Sequence, residues 1–125
     1  MVDAKILQAE GIHILAVMSN DYQSYPDDAP DKMRLFAKEN DFTFPYLIDE
    51  NQSVARAYDT ICTPDFFGLN KEGTLQYRGR FDNIGMRSTN ENRTPELLEA
   101  MRHIAQTGSG PQEQTASMGC SIKWK

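Results

Sequence analysis

The sequence predicts an α/β fold whose last part is a β-hairpin covered by a helix. An almost continuous apolar run at residues 12–18 is typical of a parallel strand with helices on both faces. Residues 66–69 and 74–78 flank the turn at residues 70–73, which predicts an antiparallel hairpin. The helix that follows has a buried stripe of apolar residues at helical spacing, namely Leu97, Leu98, Met101, Ile104 and Ala105. The order of elements therefore indicates α/β at first and a helix-covered hairpin at the end.

The size and charge of the chain exclude several classes of protein. Its 125 residues, of which 39% are hydrophobic and 25% charged, fit one soluble globular domain. Thirteen Lys and Arg against eighteen Asp and Glu give a net charge of -5, which repels a nucleic-acid backbone. The apolar runs are too short to cross a bilayer, and residues 1–5 lack a signal-peptide pattern. We therefore expect a cytoplasmic protein with neither nucleic-acid nor membrane partners.

The N-terminal half alternates helices and strands. A short helix at residues 2–10 ends before Gly11, which can adopt the left-handed conformation of a helix cap. After the strand at residues 12–18 and a polar loop, Pro30 begins a helix that ends near Asn40. This order places the first predicted strand between two helices.

The remaining elements complete the domain. Residues 44–48 form a short strand opened by proline, and the polar residues 49–51 can cap the helix that follows. A Thr-Pro-Glu sequence at residues 94–96 begins the last helix, and Gly108 closes it. We therefore expect residues 1–108 to form the folded domain. The Gly-, Ser- and Gln-rich residues 109–125 are expected to form a flexible tail that carries Cys120.

A Thr-Pro pair, Thr63 and Pro64, at the start of a buried strand resembles the cis-proline loop of thioredoxin-like proteins. Six segments together resemble the thioredoxin-like branch of the alkyl hydroperoxide reductase and thiol-specific antioxidant (AhpC/TSA) family. They are residues 19–21, 44–47, 54–58, 62–67, 77–80 and 119–125. The resemblance extends over nearly the whole chain. It implies a peroxiredoxin-related, thioredoxin-like fold with a central sheet flanked by helices, and an antioxidant activity that reduces peroxides or disulfides.

The chain departs from the family pattern at its N terminus. The family carries a cysteine motif after its first central strand, and residues 2–10 resemble the end of the helix that follows that motif. The resemblance therefore implies an incomplete fold that lacks the first strand and the usual nucleophilic cysteine. Because the unpaired N–H and C=O groups of a sheet edge can pair with another strand, we expect a homodimer, a strand-swapped oligomer or a rearranged sheet.

The candidate catalytic residues are the two cysteines, Cys62 and Cys120. Cys62 precedes the Thr-Pro pair and either faces a redox centre or is a semi-buried thiol without a catalytic role. Cys120 lies between Gly119 and Ser121, with lysines nearby, as in a reachable resolving thiol. The alternative is a solvated cysteine that oxidises between chains.

The candidate substrate-binding residues are Thr63 and Pro64. If the bond between them is cis, as in the family, the turn exposes the Thr63 backbone to pair with an extended substrate. Arg78 and Arg80 are expected to be solvated, or to steer an anionic or peptide substrate. The spacing of the acidic residues and histidines fits no metal site, and we expect no cofactor.

Three hypotheses for the function remain. The first is a thiol oxidoreductase that acts on a peroxide or disulfide, is regenerated by a thiol reductant protein, and is weak or inactive without the family's usual cysteine. The second is a noncatalytic assembly module that uses sheet edges and the C-terminal tail. The third is a truncated reading frame.

Overall fold

The computed structural model describes residues 1–85 and 92–125, which form two compact units. The first unit comprises Met1–Ile61 and Ser121–Lys125, and the second comprises Cys62–Cys120. The elements of the first unit are α1 (Val2–Ala9), β1 (Ala16–Met18), a 3-10 helix (Pro26–Asp28), α2 (Pro30–Glu39), β2 (Tyr46–Ile48) and α3 (Ser53–Ala57). Those of the second are β3 (Cys62–Thr63), β4 (Phe66–Leu69), β5 (Leu75–Gly79) and α4 (Glu96–Thr107). The last strand, β6 (Cys120–Ser121), begins at Cys120, which is the final residue of the second unit. This mixture of helices and strands confirms the predicted α/β class.

The described strands form three two-stranded sheets, with the orders β1-β2, β3-β6 and β4-β5. Within the described residues, the strands of the predicted sheet therefore pair two by two. The described residues before β1 form the helix α1. They do not form the inner strand that the family resemblance places before that helix. The described elements therefore form a partial thioredoxin-like fold.

The parallel pair β1-β2 is shorter and less buried than the sequence predicts. Ala16 lies opposite Tyr46, and the Ala16 N–H donates to the carbonyl of Pro45 at 3.0 Å. Because Pro45 has no N–H to donate, the ladder begins there and not at residue 12. Leu15 and Val17 are 64% and 41% exposed, so the prediction of a strand covered on both faces is also wrong. Alternate residues point to opposite faces, and the face of Leu15 and Val17 is open.

The helix signals of the first unit are confirmed. Gly11 follows Glu10, the C-cap of α1, and has a φ of +86°, as expected just past a helix end, and α2 runs from Pro30 to Glu39. Local sequence favours these ends because proline fixes its own φ and glycine adopts a positive φ without a steric penalty.

Asp49 caps α3, as predicted for the polar residues 49–51. Its carboxylate accepts the N–H of Ala55 at 2.9 Å, the N–H of Val54 at 3.2 Å and the hydroxyl of Ser19 at 2.8 Å. Burial alone would raise the pKa of Asp49, but these hydrogen bonds outweigh it and hold the pKa below its ordinary value. The cap therefore favours the ionised carboxylate.

The C-terminal residues are attached to the first unit through Gln52, whose side chain is 1% exposed. The Gln52 amide donates to the carbonyls of Ser19 at 2.8 Å and Lys123 at 2.9 Å, and its Oε1 accepts the N–H of Lys125 at 3.1 Å. Ile122 is also buried. The last residues of the chain, which are polar in composition, are therefore hydrogen-bonded to the first unit, because a buried amide satisfies their backbone groups.

In the second unit, α4 packs on the antiparallel hairpin β4-β5, which confirms the predicted hairpin and helix. Tyr77, Ala100 and Ile104 form the buried cluster, and Leu97 and Met101 pack against it. Gly108 ends α4 with a φ of +80°, as predicted. The predicted stripe differs in one place, since Ala100 is buried and Ala105 is exposed.

Gly68 allows this close packing. A Cβ atom there would lie 2.5 Å from the Met101 sulfur and 3.3 Å from the Ile104 Cδ1 atom. Glycine is therefore needed in β4 for a close approach to α4, not for its backbone freedom.

Residues 110–117, which we call the cap segment, also contact the folded part of the second unit. The Arg80 N–H donates to the Thr115 carbonyl at 2.9 Å, and the Ser117 hydroxyl donates to the Gly79 carbonyl at 2.6 Å. These two hydrogen bonds join the cap segment to the end of β5. From sequence alone, serine and glutamine side chains are expected to bind water. Here they form hydrogen bonds with the backbone of β5 instead.

Candidate thiol site

The pairing of β3 with β6 brings the four predicted site residues to one place. Cys62 and Thr63 form β3, the bond from Thr63 to Pro64 is cis, and Cys120 begins β6. The two cysteines lie 58 positions apart in sequence, and only the β3-β6 pairing brings their strands together.

Cys62 has the environment of a protonated thiol. Its side chain is buried, and its S–H donates to the Pro64 carbonyl at 3.8 Å. Burial raises the pKa of Cys62, the negative charge of Asp65 adds to the increase, and the positive charge of Arg78 opposes it. The neutral thiol is therefore favoured at neutral pH, and Cys62 is poorly suited to begin a nucleophilic attack.

Cys120 differs from Cys62 in its access to solvent. It is exposed, and both cysteines are free thiols. The preceding residue, Gly119, lies on the backbone of β3, because a Cβ atom there would be 2.2 Å from the Thr63 carbonyl oxygen. A residue with a side chain does not fit at that position without displacing β6 from β3.

The backbone of Thr63 is not open in this structure. Thr63 belongs to β3, which pairs with β6, and Gly119 lies against its carbonyl. The sequence predicted that an extended substrate would pair at this position. A segment of the same chain lies there instead, while the ring of Pro64 is exposed.

The two arginines that were considered for substrate steering have partners. Arg80 forms a two-point ion pair with Glu96, with N···O distances of 2.5 and 3.3 Å. The Arg78 guanidinium lies 5.4 Å from the centre of the Phe67 ring. Arg80 therefore joins the end of β5 to the start of α4, and its charge is already engaged.

Sequence analysis missed two residues that shape this site. Asp65 raises the pKa of Cys62, and its position three residues after the cysteine was visible in the sequence. In the sequence, Gly119 is visible only as the residue before Cys120. Its role in the close approach of the two strands could not be seen from the sequence, because the contacting residue, Thr63, is distant along the chain.

Two further features of the described residues concern metal binding and membrane insertion. Within residues 1–85 and 92–125, histidine, cysteine, aspartate and glutamate side chains do not gather in groups of three or more that could hold a metal ion. Over the same residues, every helix is too short or too polar to cross a membrane.

The chain is similar to proteins of known structure. Over 98% of its length it is 35% identical to a hypothetical protein from Sinorhizobium meliloti 1021, with a TM-score of 0.84, and it covers 67% of that chain. It is 39% identical to an uncharacterized conserved protein from Geobacillus kaustophilus, with a TM-score of 0.81, and it covers 65% of that chain. The chain thus spans about two thirds of the length of each. No curated protein matches it.

Similarity to a protein family covers the part of the chain that contains the candidate site. The profile of the AhpC/TSA family matches residues 3–78, which include Cys62, Thr63 and Pro64. This match covers more than half of the 125 residues. The chain therefore belongs to the AhpC/TSA family.

Proposed function

We propose that this protein is a thiol oxidoreductase that reduces peroxides or disulfides through Cys120 and Cys62. The observation that carries the proposal is the pairing of β3 with β6, which brings both cysteines to the cis-proline turn. Membership of the AhpC/TSA family supports a thiol-based reaction. We propose a peroxide or a disulfide as the substrate. We propose a partner protein with free thiols as the reductant.

The surroundings of the two thiols support different roles. Cys120 is exposed and can meet a substrate, whereas Cys62 is buried with a raised pKa. In the proposed reaction the Cys120 thiolate attacks a peroxide oxygen and the O–O bond breaks. The products are Cys120 sulfenic acid and, after the leaving oxygen takes up a proton, water or an alcohol.

A second thiol completes the cycle. Either Cys62 or a thiol of the reductant protein condenses with the sulfenic acid, which forms a disulfide and releases water. If Cys62 formed the disulfide, two thiols of the reductant reduce it and are themselves oxidised to a disulfide. If a reductant thiol formed it, the second reductant thiol displaces Cys120 as a thiol and closes the disulfide of the reductant. We expect turnover to be slow, because a protonated Cys62 reacts slowly.

A cytoplasmic location is part of the same proposal. Both cysteines are free thiols, and a reducing compartment maintains that state.

The test measures hydrogen peroxide consumption with dithiothreitol as reductant, and insulin reduction in a separate assay. We compare the unmodified protein with Cys62→Ser, Cys120→Ser and the double variant. The expected result is activity in the unmodified protein that the double variant lacks. Equal rates in the unmodified protein and the double variant would exclude a thiol reaction at these residues.

A specific observation favours assembly as a second function. Val17 and Leu47 are opposite each other in the β1-β2 ladder and are 41% and 45% exposed, and Leu15 continues the same face. Parallel sheets are normally covered on both faces, so this apolar face suits a second copy of the chain. The C-terminal tail is less suited to this role than the sequence suggested, because Lys123 and Lys125 bind Gln52 of the same chain.

The assembly function has a simple test. Light scattering should show a homodimer that Val17→Lys weakens, while Leu35→Lys, a change at an exposed residue of α2, leaves it intact. The double cysteine variant should associate normally, since its substitutions lie outside the β1-β2 face. A compact monomer at all concentrations would rule out this function.

A further inference from the structure

The end of β3 contains one residue that can hold a second strand beside the cis-proline turn. The N–H and C=O groups of a strand residue point to the same edge, and those of its neighbours point to the opposite edge. Pro64 follows Thr63 and has no N–H to donate. Thr63 therefore carries the donor and the acceptor with which an extended chain would pair at this turn.

Residues 118–120, which we call the covering segment, lie on this edge of β3. The segment leads into β6, which pairs with β3. The contact is closest at Gly119, where a Cβ atom would lie 2.2 Å from the Thr63 carbonyl oxygen and 3.4 Å from the Pro64 nitrogen. Both of these atoms belong to the backbone, so they cannot turn aside as the end of a side chain can. An incoming polypeptide would need the space that the covering segment fills.

The chain is hydrogen-bonded on both sides of the covering segment. Before the segment, the Ser117 hydroxyl donates to the Gly79 carbonyl at 2.6 Å. After it, the Lys123 carbonyl accepts the Asp21 N–H at 2.7 Å, and the Lys123 N–H donates to the Asn20 side-chain oxygen at 2.9 Å. Several hydrogen bonds must therefore break together before β6 leaves β3, which makes spontaneous opening rare.

The covered edge affects small and large substrates differently. The side chain of Cys120 is exposed, and so is Pro64. A peroxide needs only the approach of one oxygen atom to the thiolate, without a backbone partner. A reductant protein can likewise reach Cys120 with a thiol on its own surface, since that exchange requires contact between sulfur atoms only. A polypeptide disulfide that binds in an extended form also needs the edge of Thr63, which is covered.

We propose that β6 occupies the position of an extended substrate, so that the thiol site accepts small peroxides and excludes extended polypeptide disulfides, with Gly119 as the residue that sets this specificity. The inference rests on the proposed thiol oxidoreductase function and narrows its substrate class. The φ of Gly119 lies outside the left-handed region, so glycine is needed there only for the close approach to Thr63. A larger residue at position 119 therefore acts on this contact directly.

The main test measures binding of a thiol-free extended polypeptide, the carboxymethylated insulin B chain, by fluorescence anisotropy. All proteins carry Cys62→Ser and Cys120→Ser, so the result does not depend on turnover. Gly119→Val is compared with the parent and with Met118→Val, which places the same side chain at the exposed neighbouring position. The affinity of Gly119→Val should be at least about tenfold higher than that of the other two proteins, because the polypeptide gains main-chain hydrogen bonds. Equal affinity in the three proteins, or an equal gain in Met118→Val, would overturn the proposal.

The unmodified protein supplies an independent test if Gly119→Val does not fold. An excess of the B chain should leave the amide resonance of Thr63 unmoved. The kcat/KM for hydrogen peroxide should exceed that for insulin reduction by at least about tenfold. A shift of the Thr63 resonance, or insulin reduction as efficient as peroxide consumption, would overturn the proposal. Absence of both activities with an unmoved Thr63 resonance would instead contradict the proposed function.

Discussion

Replacing Gln52 with alanine should release the C-terminal residues and destabilise the first unit. The substitution removes three hydrogen bonds, to the carbonyls of Ser19 and Lys123 and from the N–H of Lys125. Each is worth about 1 kcal/mol net when buried, so the free energy of unfolding should fall by about 3 kcal/mol. Both native and substituted residues carry a Cβ at a φ of +62°, so the backbone conformation adds little to the difference.

Urea denaturation followed by circular dichroism gives the global loss, and tryptophan fluorescence reports the local one. Trp124 is the only tryptophan in the sequence, and its ring lies 4.5 Å from the Arg56 guanidinium. Its emission should shift towards that of a solvated indole in Gln52→Ala. Ser53→Ala is the control, because Ser53 is exposed at the adjacent position and its loss should cost less than about 0.5 kcal/mol. A Gln52→Ala protein within about 1 kcal/mol of the unmodified one, with unchanged emission, would refute the anchoring role.

Three further predictions concern the cap of α3, the packing of α4 and the thiols. The pKa of Asp49 is lowered by folding, so its contribution to stability is present above about pH 4 and is lost as the pH falls through the folded value. Urea midpoints from pH 7 to pH 3 should therefore fall less steeply in Asp49→Asn, and an equal slope in both proteins would contradict this. Gly68→Ala should cost about 1–3 kcal/mol in thermal unfolding because its Cβ meets the Met101 sulfur, and the cost should be smaller in a Met101→Ala background. With a chromogenic disulfide reagent at pH 8, Cys120 should react at least about tenfold faster than the buried Cys62, and equal rates would show that Cys62 is accessible.

Local signals account for the elements that were predicted well. Proline at the start of α2 and glycine at the end of α4 act through their own backbone conformations, so their effects survive in almost any tertiary setting. The hairpin β4-β5 was also predictable, because its strands are joined by a short turn and pair with each other.

The apolar run at residues 12–18 shows where composition misleads. It was interpreted as a strand buried on both faces, yet Leu15 and Val17 are exposed. A row of apolar side chains indicates that a strand can be buried, but the presence of a covering layer depends on other parts of the chain or on a second chain. The open face is one reason to expect assembly.

Neighbours along the chain were enough to predict the element types, most of their ends and the candidate residues Cys62, Thr63, Pro64 and Cys120. Three contacts became visible only in the folded chain: β6 lies on β3, Gln52 holds the C-terminal residues, and Gln114 covers the edge of β5. The hydrogen bond from Gln52 to Lys123 spans 71 positions. Partners so far apart leave no local pattern, since a polar residue looks the same in sequence whether it binds water or a distant backbone group.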